Sequence, residues 1–144
     1  TPIKSSAASD VYKRQEQDGT LVAFCVMGGI FSEGIDLTQD RLIGAMIVGT
    51  GIPQVCNERE ILKQYFGAEG FDYAYLYPGM NKVLQSAGRV IRTEKDKGVI
   101  LLMDERFQSP HYRKMFPREW SDCRRCTMEN VTELLTEFWK KDPT

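Results

Sequence analysis

Apolar and polar positions along the chain alternate between short continuous apolar runs and one-sided helical patterns. Continuous runs at Leu21–Met27, Arg41–Gly49 and Gly98–Asp104 predict three buried strands of the kind found in parallel sheets. Apolar residues at helical spacing over Glu58–Phe66 predict a helix that stops at Gly67. Strands that alternate with helices predict a three-layer α/β domain with a mostly parallel sheet.

The remaining elements are shorter or less regular. An aromatic-rich stretch at Asp72–Tyr77 predicts a short helix. Tyr112–Trp120 predicts a short irregular segment, with Pro110 and Pro117 as breakers. Thr127 is a candidate cap for a last helix over Met128–Lys140. The apolar residues predicted to form the buried face of that helix are Val131, Leu134, Leu135, Phe138 and Trp139.

The segment Gly79–Thr93 has a clear amphipathic pattern. At about 100° per residue, its apolar residues fall on one side and predict packing against a sheet. The other side carries Gln85, Gly88, Arg89 and Arg92. Guanidinium groups match phosphate oxygens, and a mid-helix glycine, which costs roughly 1 kcal/mol, indicates that something approaches the backbone there. The alternative is a solvated face with two surface arginines.

A second polar cluster follows the first apolar run. Ser32, Glu33 and Asp36 surround Gly34 directly after Gly28-Gly29. Ligand-binding loops of α/β sheets lie at the carboxyl ends of the strands, so both polar clusters are predicted at one rim of the sheet. The alternative for this cluster is a polar turn with a helix cap.

Composition narrows the candidate chemistry. The 144 residues carry a formal net charge of −1, so any binding to phosphate depends on local placement of charge. No apolar run approaches the roughly 20 residues of a membrane span, and no signal core is present, so we expect no membrane partner. The four cysteines are few and irregularly spaced, which predicts a reduced, cytoplasmic protein. Thr1–Gln15 is predicted to be a disordered or non-native tail, since Ser6–Gln15 is similar to translated sequencing-adapter sequence; the domain then covers residues 16–144.

Two further patterns are incomplete. Cys123 and Cys126 form half of a zinc ribbon, but no second cysteine pair or suitably placed histidine completes four ligands, so no metal site is predicted. Asp104-Glu105, at the end of the third predicted strand, resembles a magnesium-binding Walker B element. The phosphate loop that such an element requires is absent from the sequence, so no role is predicted for it.

The two polar clusters together resemble helicase motifs. Gly29–Asp36 is similar to motif V of the Rad3/XPD and DinG branch of superfamily 2, and Gln85–Arg92 matches motif VI, Gln-x-x-Gly-Arg-x-x-Arg. The strand at Gly98–Asp104 and the segment Phe116–Trp120 also resemble DinG-like proteins. The resemblance covers roughly Asp18–Lys140. It implies a RecA-like, P-loop NTPase-like helicase C-terminal domain that is incomplete at its N-terminus.

The resemblance implies that ATP with Mg²⁺ lies between two RecA-like domains and is bound mainly by the first, which this sequence lacks. Arg92 would be the arginine finger, Arg89 would also face the γ-phosphate, and Gln85 would orient the nucleotide or the attacking water. Gly88 would lie where the nucleotide approaches the backbone.

For motif V, the resemblance implies contacts on both sides of the motor. Glu33, Gly34 and Asp36 would couple the nucleotide to DNA contacts, and Ser32 and Gly34 would lie near the DNA backbone. The implied partners are single-stranded and forked duplex DNA and the first RecA-like domain. A 4Fe–4S cluster is possible in a full-length protein, but the four cysteines here do not match the family's insertion.

The function implied is ATP hydrolysis coupled to 5′→3′ translocation and duplex unwinding, with the fragment alone inactive. The alternative is a non-catalytic module that binds nucleic acid or protein and keeps the motor fold.

Overall fold

The computed structural model describes residues 19–29 and 41–140. The chain divides into two compact units, Thr1–Phe107 and Gln108–Thr144, and each unit is described by itself. Within the described residues, no helix has the length and apolar character needed to cross a lipid bilayer.

In the described part of the first unit, two parallel strands form the sheet. Strand β1 covers Gly44–Val48 and strand β2 covers Val99–Met103. Their register runs from Gly44 opposite Val99 to Val48 opposite Met103. Both strands lie within predicted apolar runs, and the helices between them form the crossover that parallel pairing requires. The predicted α/β class with parallel strands is confirmed.

Four helical segments connect the strands. Helix α1 covers Asn57–Tyr65, and Gly67 follows it with φ +55°, which confirms the predicted stop. A short 3₁₀ turn at Gly67–Glu69 leads to a π-helix at Asp72–Leu76. The π-helix continues directly into helix α2, Tyr77–Ala87, which begins two residues before the predicted start.

The core of the first unit lies around α2. This helix packs against β1 and against the π-helix, with Met80 and Val83 fully buried along one side. The predicted apolar side of α2 is therefore confirmed. The buried apolar residues of the unit are Ile47, Ala74, Tyr75, Leu76, Met80, Val83, Ala87, Val90 and Phe107.

Strand β1 is buried on one face only. Ile47 is buried, whereas Met46 is 68% and Val48 is 70% exposed. Successive side chains of a strand point to opposite faces, and Ile47 lies on the face opposite to that of Met46 and Val48. The prediction that this strand is buried on both faces is wrong for the described structure.

The first apolar run does not form the predicted strand. Residues 21–26 have no regular secondary structure, and Phe24 is 97% exposed. The run ends in a turn in which the Gly29 amide donates to the Val26 carbonyl at 3.0 Å. A strand needs the backbone groups of a neighbour. In the described residues, β1 and β2 pair only with each other, so this run lacks a partner strand.

Helix α1 joins the unit through its polar side. The Arg59 guanidinium donates to the Ala74 carbonyl at 2.7 Å, and the Tyr75 hydroxyl donates to Glu60 Oε1 at 2.6 Å. No residue of α1 is buried, and Tyr65 is 81% exposed. The exposed apolar residues here are Ile61, Leu62, Tyr65 and Phe66. Helical spacing correctly places these apolar residues on one side of α1, but that side does not face the core.

Residues 108–140 of the second unit form two α-helices. Helix α3 covers Pro110–Arg113, and its Ser109 cap accepts a hydrogen bond from the Tyr112 amide. Pro110 therefore begins a helix instead of breaking one, because the first helical turn needs no proline N–H. A 3₁₀ turn follows at Arg118–Trp120.

Helix α4 covers Val131–Lys140 and begins three residues after the predicted start. Asn130 Oδ1 accepts from the Thr127 amide at 2.8 Å, so the turn before the helix is closed by asparagine. No residue of α4 is fully buried. Val131, Leu134 and Phe138 of the predicted face are half-buried, whereas Leu135 and Trp139 are exposed, so the prediction is confirmed only in part. Periodicity specifies a side of a helix without specifying what covers it.

Two glycines allow the loop after β1 to meet α2 at backbone distance. Gly51 has φ +67°, and a Cβ added to it would lie 2.7 Å from the Gly79 carbonyl oxygen. A Cβ on Gly79 would in turn lie 2.8 Å from the Thr50 carbonyl oxygen. Both distances are shorter than the contacts that real Cβ atoms make, so this junction requires glycine on each side.

We expect Gly51→Ala to lower the free energy of unfolding by about 3 kcal/mol or more, since it adds left-handed strain and a steric clash. Gly49→Ala is the control, because Gly49 has φ +82° but no atom within 4 Å of an added Cβ. It should cost only the strain, about 1–2 kcal/mol. Urea unfolding measures both changes, and equal losses would contradict the close approach of the loop to α2.

The hydrogen bond between Tyr75 and Glu60 should make stability depend on pH. It raises the pKa of Tyr75 from 10.0 to about 12, and it lowers the pKa of Glu60. The raised pKa of Tyr75 gives stability that is fully present below about pH 10 and is lost as pH rises through about 12. The lowered pKa of Glu60 gives stability that is lost as pH falls through that lowered value.

We therefore expect the stability advantage of the wild type over Tyr75→Phe to be constant near neutral pH and to shrink above about pH 10. Tyr65→Phe is the control, since Tyr65 is largely exposed. Unfolding measured across this alkaline range tests the expectation. A wild-type advantage that does not decline with alkaline pH would contradict it.

Candidate functional site

The residues of the predicted site segment do not share one helix. Helix α2 ends at Ala87, and Gly88 follows it as a C-cap with φ −64° and ψ −8°. Of the predicted polar face, Gln85 alone lies on the helix. The prediction that Arg89 and Arg92 project from that face is wrong, because both follow the helix end.

The helix tightens as it ends. The Gly88 amide still donates to the Leu84 carbonyl at 2.8 Å, whereas the Val90 amide donates to the Ala87 carbonyl, only three residues back, at 3.0 Å. Val90 is 2% exposed, so the turn returns an apolar side chain to the core. Glycine is a poor helix former, so Gly88 favours an end to the helix. The turn buries Val90 as well as a longer helix would.

A carboxylate arranges the chain after this turn. Asp96 Oδ2 accepts from the Arg92 amide at 2.8 Å and from the Thr93 amide at 2.7 Å. The Asp96 amide donates back to the Thr93 carbonyl at 3.1 Å, and the Lys95 amide donates to Thr93 Oγ1 at 3.3 Å. These bonds close a charged turn and hold the backbone of Arg92.

The predicted ATP-side residues lie together along one surface segment. Gln85 and Gly88 are exposed, while Arg89 and Arg92 are half-buried. Half-buried guanidinium groups are less screened by water than fully exposed ones, so they attract an anion more strongly. The segment can therefore bind phosphate oxygens through arginine, with an exposed glycine at Gly88.

The other predicted cluster, Ser32, Glu33, Gly34 and Asp36, lies outside the described residues, so its roles stay predictions. The described segment before it comes close to α2. Gly28 has φ +77°, and a Cβ added there would lie 3.4 Å from Lys82 Cε. The chain therefore reaches α2 just before the cluster begins.

Asp104, at the end of β2, forms an ion pair that the sequence analysis missed. Arg106 Nε donates to Asp104 Oδ1 at 2.8 Å and Arg106 Nη2 donates to Oδ2 at 2.7 Å. These bonds lower the pKa of Asp104. The spacing Asp-x-Arg directly after a predicted strand was the sequence signal that could have indicated this ion pair. The carboxylate is thus occupied by arginine.

The cysteines are all free in the structure. Cys123 is exposed and Cys126 is half-buried. Across residues 19–29 and 41–140, histidine, cysteine, aspartate and glutamate form no group of three or more that could hold a metal ion.

Comparison with known proteins gives a family match. The family model described as helicase C-terminal domain matches residues 4–123. A protein of Methanocaldococcus jannaschii, named a probable ATP-dependent helicase, is 30% identical over 112 residues, which cover 69% of this chain and 17% of that protein.

Two further relatives are helicases by name. The ATP-dependent DNA helicase XPD of Sulfolobus acidocaldarius is 28% identical over 120 residues, covering 77% of this chain and 21% of the relative. A regulator of telomere elongation helicase 1 homolog of Caenorhabditis briggsae is 30% identical over 135 residues, covering 84% and 13% respectively. The chain thus spans about a fifth or less of the length of these relatives.

The exposed position and backbone angles of Gly88 predict tolerance of a small side chain. Its φ of −64° suits any residue, and an added Cβ would lie 3.2 Å from the Leu84 carbonyl oxygen, a tight contact that a shift of a few tenths of an ångström relieves. We expect Gly88→Ala to change the free energy of unfolding by less than about 1 kcal/mol. Gly79→Ala, which places a Cβ 2.8 Å from the Thr50 carbonyl, should lose clearly more. Chemical unfolding of both variants tests this, and comparable losses would show that the backbone at Gly88 is crowded.

Proposed function

The chain belongs to the helicase C-terminal domain family of Rad3/XPD-type ATP-dependent helicases, and from this premise we propose that it completes the ATP site of a DNA helicase. The observation that carries the proposal is the segment Gln85–Arg92. It matches the motif order Gln-x-x-Gly-Arg-x-x-Arg and presents two half-buried arginines at the end of α2.

On the nucleotide side, ATP and Mg²⁺ are bound mainly by a first RecA-like domain, the partner of this one. Arg92 contributes positive charge to the γ-phosphate as the arginine finger, with Arg89 beside it. Charge of this kind stabilises the negative charge spread over the transferring phosphoryl group. Gln85 orients the nucleotide or the attacking water, and the exposed backbone at Gly88 leaves room for the nucleotide.

On the nucleic-acid side, the segment Ser32–Asp36 links the nucleotide to DNA. Ser32 and Gly34 contact the DNA backbone without reading bases, and Glu33 and Asp36 couple that contact to the arginines. The substrate is single-stranded DNA and forked duplex, and movement is 5′→3′ in the cytoplasm. We assign no 4Fe–4S cluster to the cysteines of this chain.

The proposal is tested in a chain that carries both motor domains. We expect Arg92→Ala to lower DNA-stimulated ATP hydrolysis by about 10³-fold or more, since that is the range for loss of an arginine finger. DNA binding, measured by fluorescence anisotropy, should be largely retained. Arg125→Ala, which removes an exposed arginine of the second unit, is the control and should behave as wild type.

Unchanged turnover in Arg92→Ala would overturn the role of this arginine. The 144-residue chain by itself should not hydrolyse ATP, because the groups proposed to bind the phosphates and Mg²⁺ belong to the first domain. If the purified 144-residue chain hydrolysed ATP, and Arg92→Ala did not abolish that activity, the division of the site between two domains would be contradicted.

A further inference from the structure

We propose that Asp96 is a positioning residue for ATP hydrolysis, which acts by holding the backbone of Arg92 in place. The inference rests on the proposed function of Arg92. It extends that function to a residue outside the Gln85–Arg92 segment.

The hydrogen bonds of Asp96 are directed at the arginine itself. A single carboxylate oxygen, Oδ2, accepts from the amides of Arg92 and Thr93 at 2.8 and 2.7 Å. Arg92 and Thr93 lie in neither a helix nor a strand, so their amides depend on the side chain of Asp96 for this pairing.

The segment between Val90 and Val99 is anchored at both ends, and Asp96 holds the backbone between these ends. On one side, Val90 is buried in the core and packs against Gly98. On the other side, the Val99 amide donates to the Ile43 carbonyl at 3.0 Å, where β2 begins. Between these anchors, the two bonds of Asp96 hold the backbone from which the Arg92 side chain extends.

Position matters for an arginine that acts on a transition state. A catalytic group must be held within about 0.5 Å of its productive place, and a displacement of about 1 Å costs about 10²-fold in rate. Arginine contributes mainly when charge develops during phosphoryl transfer, so its displacement lowers kcat more than it weakens ATP binding. Asp96 thereby supports turnover without touching the nucleotide.

The test compares three variants in a chain that carries both motor domains, with ATP hydrolysis measured at saturating single-stranded DNA. Asp96→Ala removes both hydrogen bonds. Asp96→Asn keeps an oxygen that can accept them but removes the charge. Glu94→Ala, in the same turn, removes an exposed carboxylate and is the control.

We expect Asp96→Ala to lower kcat by about 10–100-fold while the KM for ATP changes by less than about threefold, because the misplaced arginine fails in the transition state. Asp96→Asn should restore kcat to within about threefold of wild type, and Glu94→Ala should equal wild type. A folded Asp96→Ala enzyme with wild-type kcat would overturn the inference. So would Asp96→Asn as impaired as Asp96→Ala, since the charge and not the two hydrogen bonds would then be responsible.

Arg92→Ala separates this inference from the function on which it rests. If Arg92→Ala hydrolyses ATP normally, the proposed function fails. If Arg92→Ala is inactive while Asp96→Ala is normal, only the role of Asp96 fails. Amide hydrogen exchange in the wild type gives a readout that needs no variant to fold: the Arg92 and Thr93 amides should be protected, and rapid exchange at both would overturn the inference.

Discussion

The close packing of α2 on β1 and on the loop after it is the constraint on which the first unit depends. Gly51 and Gly79 meet at backbone distance, so α2 can lie near the end of β1 with no side chain between them. This contact sets the distance between α2 and the end of β1, while burial of Met80 and Val83 sets the orientation of α2 about its own axis. Together they determine that Gln85 is exposed and where the chain leaves the helix.

The arginines of the candidate site depend on that exit. Because α2 ends at Ala87, Arg89 and Arg92 are carried by a turn and a loop, whose backbone must be held by other groups. Burial of Val90 and the two hydrogen bonds to Asp96 provide this support. A loop held in this way can place a guanidinium at an angle that a regular helix face does not offer.

Apolar patterns predicted the elements that find partners within the described chain. The runs that contain β1 and β2 pair with each other, and Gly67 ends α1 as its sequence position indicates. The run Leu21–Met27 has equal apolar character, but among the described residues no strand pairs with it, so composition alone misassigned it. Likewise, the spacing of α1 identified an apolar side, whereas hydrogen bonds from Arg59 and Tyr75 turned the polar side toward the protein.

The sequence by itself determined the α/β class, the identity and order of the motif residues, and hence the helicase family. It could not determine where α2 ends, because Val90 continues the apolar spacing although it reaches the core from a turn. Only the tertiary structure decided that Asp96 meets the amides of Arg92 and Thr93. A motif specifies side chains, whereas the partner of a backbone amide depends on the path that packing imposes on the chain.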